Sequence, residues 1–539
     1  MTLTKSLPIN TSLWILIPSL IAAIVCITPL IYLVIRVAGS DSDIWVWLIR
    51  PKTVKIFARS VFLAITVTML SAVIAVPIAW LTIRTNLPYR KLWSVLTFLP
   101  LVIPSYVGAY ILISFSGNGG LLHEATRTFF GVGSVPTMYG YYGSLLTLSL
   151  LNYPYIILTI RSNLSNMDVS GEETAKMMGL SRLQTLIKVT IPSVKPAILS
   201  GSLLVSLYTL SDFGAVSLLR YKTFTWSIYT QYEAGFDRNA AALLSLTLFI
   251  VATGFMCFEL LVRGNKRYYK SSSTASKKLP LIDIGKWRWP AAGVCAVVSL
   301  ISVAIPISVL LYWVARGLYH GETAAILGAE SNHVLALNSI MLSVLTAGVV
   351  VTLSLPVGYL AIRHPGFLST TIEKMCYTGY ALPSIAVSLA LIFFGSKIGS
   401  PIYQSIYLLV MACAVLCMPT GLSAIRSSMT QISPRYEESS MTLGKSRIKS
   451  VIATNMPLLK SGLTMAAVTV FLITMKELPA VLLLAPLDFH TLTTAIWSFT
   501  SEAFFARAAI PSLLLILLSS IPLTIIVMKN NIFNNSWGE

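Results

Sequence analysis

The chain has 539 residues, 55% of them hydrophobic and 11% charged, with 39 Lys and Arg against 20 Asp and Glu for a formal net charge of +19. Soluble globular chains carry about a quarter of their residues as charges, so this composition excludes one. It also excludes a nucleic-acid-binding domain, because the basic residues are spread between long apolar runs and not gathered on one segment.

Those apolar runs recur along the whole chain, and each is long enough to cross a bilayer. Bounded by charges or by Gly and Pro clusters, they predict an all-α polytopic membrane protein with twelve transmembrane helices. The spans centre near residues 14–35, 61–82, 93–115, 142–160, 197–219, 241–262, 289–314, 339–361, 373–395, 404–424, 460–485 and 508–528. The first run follows a short segment whose one basic residue is Lys5. It is longer than the core of a signal peptide, so it reads as a retained first helix.

An even number of spans puts both termini on one side. With the termini in the cytoplasm, 26 of the 39 Lys and Arg fall inside and 13 outside, led by the segment Arg263–Arg288. The positive-inside rule therefore selects this orientation. Most of the +19 is the imprint of membrane insertion, with about +17 inside and +2 outside. The first outer loop runs against the trend, since Arg36, Arg50, Lys52, Lys55 and Arg59 fall outside. Ile44-Trp45-Val46-Trp47 beside them predicts an interfacial helix.

The low-complexity run Ser271-Ser272-Ser273-Thr274-Ala275-Ser276 divides the chain into residues 1–263, a basic linker at 264–288, and residues 289–539. The six cysteines lie in or at the ends of apolar runs and read as small buried hydrophobes. The five histidines are scattered singly and lack the paired spacing of a metal site.

The two long segments repeat each other. Pro77-Ile78-Ala79-Trp80-Leu81-Thr82-Ile83-Arg84 returns 279 positions later as Pro356-Val357-Gly358-Tyr359-Leu360-Ala361-Ile362-Arg363, and Ile103-Pro104-Ser105 returns at the same offset as Leu382-Pro383-Ser384. Further on, Glu173, Gly179 and Pro192 return 265 positions later as Glu438, Gly444 and Pro457. The lost residues fall in an outer loop, which is long at Gly117–Tyr142 and short at Ser396–Gln404. Six spans separate the copies, so the repeat is parallel, with a pseudo-two-fold axis along the membrane normal. Whatever binds the cytoplasmic face should bind twice.

Both repeated loops lie between the fourth and fifth span of their half: Glu172-Glu173-Thr174-Ala175-Lys176-Met177-Met178-Gly179 on to Ile191-Pro192, and Glu437-Glu438-Ser439-Ser440-Met441-Thr442-Leu443-Gly444 on to Met456-Pro457. A Glu-led turn, a Gly, a second amphipathic stretch and a closing Pro predict a helix–turn–helix on the membrane surface. These residues resemble the EAA loop of ABC-importer permeases, whose pattern is Glu-Ala-Ala, three residues, Gly, nine residues, then Ile-x-Leu-Pro. The Glu, Gly and Pro spacing is kept in both copies, while Thr174-Ala175 and Ser439-Ser440 depart from the two alanines.

Leu210 to Tyr221, with Ser211-Asp212-Phe213-Gly214, and Met475-Lys476-Glu477-Leu478-Pro479-Ala480 further resemble the fused permeases of ferric-iron importers. Permeases for thiamine, phosphonates and polyamines share much of this pattern and stay open as alternatives. The resemblance implies a permease of a bacterial inner membrane that works with two copies of a cytoplasmic ABC ATPase and a periplasmic substrate-binding protein. Its coupling loops would use Glu173, Ala175, Gly179, Pro192, Glu438, Ser440, Gly444 and Pro457. The chain itself has no G-x-x-x-x-G-K-[ST] segment, so ATP would be bound by the partner, with no cofactor, metal or catalytic residue of its own. An ion-gradient-driven secondary transporter could share the parallel halves, but the paired Glu, Gly and Pro loops have no role there.

Asp212 and Glu477 are related by the loop offset, and each lies 20 residues past its motif proline. A carboxylate at that depth must face protein or water. Two readings follow. With Ser211 and Lys476 the acids line or latch the outer part of the pathway; or each acid caps a break in its helix, ahead of Gly214 and Pro479, with Lys476 neutralising the adjacent Glu477.

Overall fold

A computed structural model describes residues 13–40, 45–117, 120–131, 138–165, 170–235, 237–263, 281–321, 332–397 and 399–529. The Ser-rich middle of the linker lies outside the described residues. Among the described residues ten helices are long and apolar enough to cross a membrane, and two bent pairs bring the number to twelve, matching the spans expected. In several of them only a third of the most apolar stretch is buried by protein, so the rest is left for lipid.

The halves are alike element by element. The second span, Pro51–Arg84, has its counterpart in Asn332–Arg363. The fourth, Gly140–Ser165, matches Ile406–Thr430, and the fifth, Ile191–Ser211, matches Met456–Met475. Arg238–Arg263 matches Phe505–Lys529 as the last span of each half.

The spans depart from straight, unbroken apolar runs in ways that have physical causes. The third and ninth spans are not straight: they turn by 95° and 110° next to Pro104 and Pro383, where the residue before each proline is forced out of the helical region. Pro77, Pro356 and Pro419 stay inside continuous helices. The fifth and eleventh spans stop at Ser211 and Met475, then resume as the short helices Gly214–Leu218 and Pro479–Leu484. The second span begins ten residues earlier than expected, at Pro51. At ~1.5 Å per residue its helix is about 50 Å long, so Lys52, Lys55 and Arg59 ride on turns beyond a ~30 Å hydrocarbon core; the interfacial helix beside them is one turn, Val46–Ile49. Of the cysteines, Cys257 is exposed and the other five are buried.

The first helix of each half crosses over. Leu13–Ala38 packs on Asn332–Arg363 and on both limbs of the ninth span. The seventh span, through Ile305–Tyr319, packs on Ser105–Ser116 and on the last span. Ile15, Ala22, Ala23 and Cys26 accordingly lie in the core of the second half, and Ala292 and Cys295 in that of the first.

Candidate coupling loops and the central crossing

In the first loop the helix Ser170–Met177 places Glu172 and Ala175 on one face, three residues apart, and both are buried. Glu173 points the other way and is exposed, as are Met177 and Met178. The helix ends in a Schellman turn: Leu180 N–H donates to the Ala175 carbonyl at 3.1 Å, with Gly179 left-handed at φ +81°. The second loop repeats this. In Arg435–Thr442, Glu437 and Ser440 are buried and Glu438 is exposed. Lys445 N–H donates to the Ser440 carbonyl at 3.3 Å around Gly444 at φ +86°. A Cβ added at either glycine would meet nothing within 4 Å. Within the chain the glycines therefore answer to backbone conformation alone, and the space beside them is open.

The second arm differs from the expected surface helix. Arg182–Thr185 runs through a π-helical turn, Leu186–Thr190, straight into the fifth span, and Arg447–Ser450 does the same through Val451–Asn455. Pro192 and Pro457 do not end an element; they sit in the first turn of the next one. There a missing N–H is harmless, and the widened turn before them spares the clash of a proline ring with the carbonyl four residues back.

Each buried glutamate joins three elements. The Glu172 carboxylate pairs with Arg84, the last residue of the second span, and accepts from the Thr190 hydroxyl at 2.7 Å. The Glu437 carboxylate lies 3.6 Å from Nε of Arg363, the last residue of the eighth span. It also accepts from the Tyr359 hydroxyl and from the Asn455 amide at 3.2 Å. Arg84 and Arg363 occupy the same place in the repeat, as do Thr190 and Asn455. The sequence reading fixed on the motif glutamates, Glu173 and Glu438, and passed over their buried neighbours. The signal was available: both copies of the repeated octapeptide end in Arg, and both loops begin with two glutamates.

The linker end joins the same corner. Arg84 carbonyl accepts from Ile282 N–H at 2.7 Å, Asn86 N–H donates back to Ile282 at 3.2 Å, and the Asn86 amide donates to Asp283 at 2.6 Å. Residues that the alternation of spans puts on one side are thus in contact.

At the breaks in the fifth and eleventh spans the two acids act as caps. Asp212 Oδ1 accepts from Ala215 N–H at 3.0 Å and Val216 N–H at 3.3 Å; Glu477 Oε1 accepts from Ala480 N–H at 3.4 Å. Ser105 and Ser384, the residues after the bend prolines, lie beside the same two carboxylates, so the two repeated motifs meet in space. Lys476 does not neutralise Glu477: its Nζ crosses to the other half and donates to the Leu101 carbonyl at 2.6 Å. The matching position in the first half, Ser211, ends its helix half-buried.

The family model for "binding-protein-dependent transport system inner membrane component" matches residues 71–268 and 351–529, one copy in each half. The chain is 28% identical over 523 residues to the Fe(3+)-transport system permease protein FbpB 2 of Haemophilus influenzae, covering 96% of this chain and 98% of the relative. It is 22% identical to the ferric transport system permease protein FbpB of Actinobacillus pleuropneumoniae, covering 87% and 70%. It is also 26% identical to the molybdenum transport system permease protein ModB of Escherichia coli, covering 38% of this chain and 93% of the relative, so a single half corresponds to that whole protein. With both halves matched, the chain belongs to the family of binding-protein-dependent transport system inner membrane components.

Proposed function

We propose that this chain is the fused permease of an ABC importer for ferric iron, with both termini in the cytoplasm and two copies of a separate ATPase docked on its two loops. The observation that carries the reading is the pair of loops, alike in cap, glycine and burial pattern, each offering an exposed glutamate beside open space at Gly179 or Gly444. Met177, Met178 and Leu443 are large apolar side chains left exposed at the loop tips, and such side chains fit a groove on a partner. ATP is bound by those subunits, whose closure drives the loops together. A substrate-binding protein delivers cargo on the opposite face.

Iron is favoured over other cargo because the relatives that match along most of this chain are named for ferric transport, whereas the molybdenum and sulfate permeases match about one half. The gate belongs at the central crossing, at Ser211, Asp212, Lys476 and Glu477, where the two acids cap the breaks and Lys476 reaches the Leu101 carbonyl beside the bend at Pro104. The test is uptake by the reconstituted complex in vesicles. Expected is iron uptake that needs both ATP and a ferric-loaded binding protein. Uptake driven by an ion gradient without ATPase would refute the class, and stimulation only by a thiamine-, phosphonate- or polyamine-loaded partner would refute the cargo.

A further inference from the structure

We propose that Arg84–Glu172 and Arg363–Glu437 are the positioning pairs that carry movement of each loop into the membrane helices. The inference rests on the permease reading and assigns a task that the loop motif itself does not perform. The outward side of each loop helix, with Glu173 or Glu438, is free for a partner, while the inward side meets the spans. On that inward side one carboxylate holds the end of the second or eighth span and, through Thr190 or Asn455, the π turn that opens the fifth or eleventh.

Apolar side chains can slide past one another with little change in energy. A desolvated guanidinium–carboxylate pair cannot, because displacement leaves each buried charge without its counter-charge. A push on the loop therefore moves the two spans with it. The fifth and eleventh spans lead directly to the breaks at Asp212 and Glu477, and the second and eighth pack along them.

The two halves support this independently. Their loops differ at the small positions, Thr174-Ala175 against Ser439-Ser440, and the supporting partners differ as well: Thr190 in the first half, Asn455 and Tyr359 in the second. The acid and the arginine are the same in both. The first pair is also braced from outside its half, since the Arg84 carbonyl is held by Ile282 and Asn86 by Asp283.

The experiment compares uptake per ATP hydrolysed in the reconstituted complex for the wild type, Glu172→Gln, Arg84→Lys, the exchanged pair Arg84→Glu/Glu172→Arg, and the apolar pair Arg84→Met/Glu172→Met. Co-purification of the ATPase subunit is measured for each. The apolar pair fills the site without unpaired charge and is the variant safest for folding. Expected is ATPase subunit retained throughout, uptake per ATP lowered at least tenfold in Glu172→Gln and in the apolar pair, and partial recovery in Arg84→Lys and the exchanged pair. Wild-type uptake per ATP in the apolar pair, or a fall with no recovery in either conservative arrangement, overturns the proposal. A wild-type complex without ATP-driven uptake would instead overturn the permease reading.

Discussion

Glu172 and Glu173 are neighbours in the chain and face opposite ways, and their substitutions should behave as differently as their surroundings. Glu172→Ala or Glu437→Ala strands a buried arginine, at a cost on the order of 3–5 kcal/mol. Glu173→Ala and Glu438→Ala remove exposed side chains and should change stability by less than about 0.5 kcal/mol. Thermal midpoints of the purified chain in detergent measure the first contrast. The second variants should instead lose bound ATPase in a co-purification assay. Gly179 separates two effects in the same way. Asn adopts the left-handed backbone readily, whereas Val is strained by about 1–2 kcal/mol. Since nothing in the chain blocks a Cβ there, Gly179→Asn should leave the midpoint unchanged yet weaken ATPase association, and Gly179→Val should lower both. Midpoint loss alone in both variants would mean that nothing docks at that space.

Among the elements, the prolines behave in three ways that residue type alone does not distinguish. Pro104 and Pro383 turn the chain sharply, Pro77 and Pro356 do nothing visible, and Pro192, Pro306 and Pro457 each follow a five-residue π turn at two residues' distance. Which of these occurs depends on whether neighbouring helices leave room for the turn, and a lone sequence does not specify that. The breaks after Ser211 and Met475 were foreseen as one of two readings, and the hydrogen bonds of Asp212 and Glu477 to the next helix are those of the cap. Asp212→Asn and Glu477→Gln keep an acceptor oxygen and should keep uptake. Asp212→Ala and Glu477→Ala should each cost about 0.5–2 kcal/mol of stability, read as a lower thermal midpoint. Loss of uptake in the Asn and Gln variants at normal protein levels would show that the negative charge itself serves the pathway.

At the scale of the whole molecule, the first helix of each half lies on the other half, and Lys476 and Tyr110 bond carbonyls across the same boundary, at Leu101 and Phe505. The halves should therefore stay together without a covalent link. A protease site placed in the Ser-rich linker, cut after purification, should give two fragments that co-elute in mild detergent and still take up substrate with the ATPase. Separation on cutting would mean that the linker holds the assembly. Removing residues 1–40 should conversely destabilise the second half, since Ile15, Ala22 and Cys26 fill its core.

Composition and hydropathy by themselves determined the solvent and the number of spans, because a bilayer forces backbone bonds to close within each helix and makes span length a local property; the motifs repeated at fixed offsets determined the duplication. The Glu, Gly and Pro spacing likewise exposed the loops, since a left-handed cap glycine is demanded by a few adjacent residues. Only the tertiary structure decided which glutamate is buried, where Lys476 reaches and that the first helices exchange places. Those outcomes turn on which distant helix supplies Arg84, Leu101 or the face for Ile15, and the energy of a buried pair or a packed face exists only once both partners have arrived.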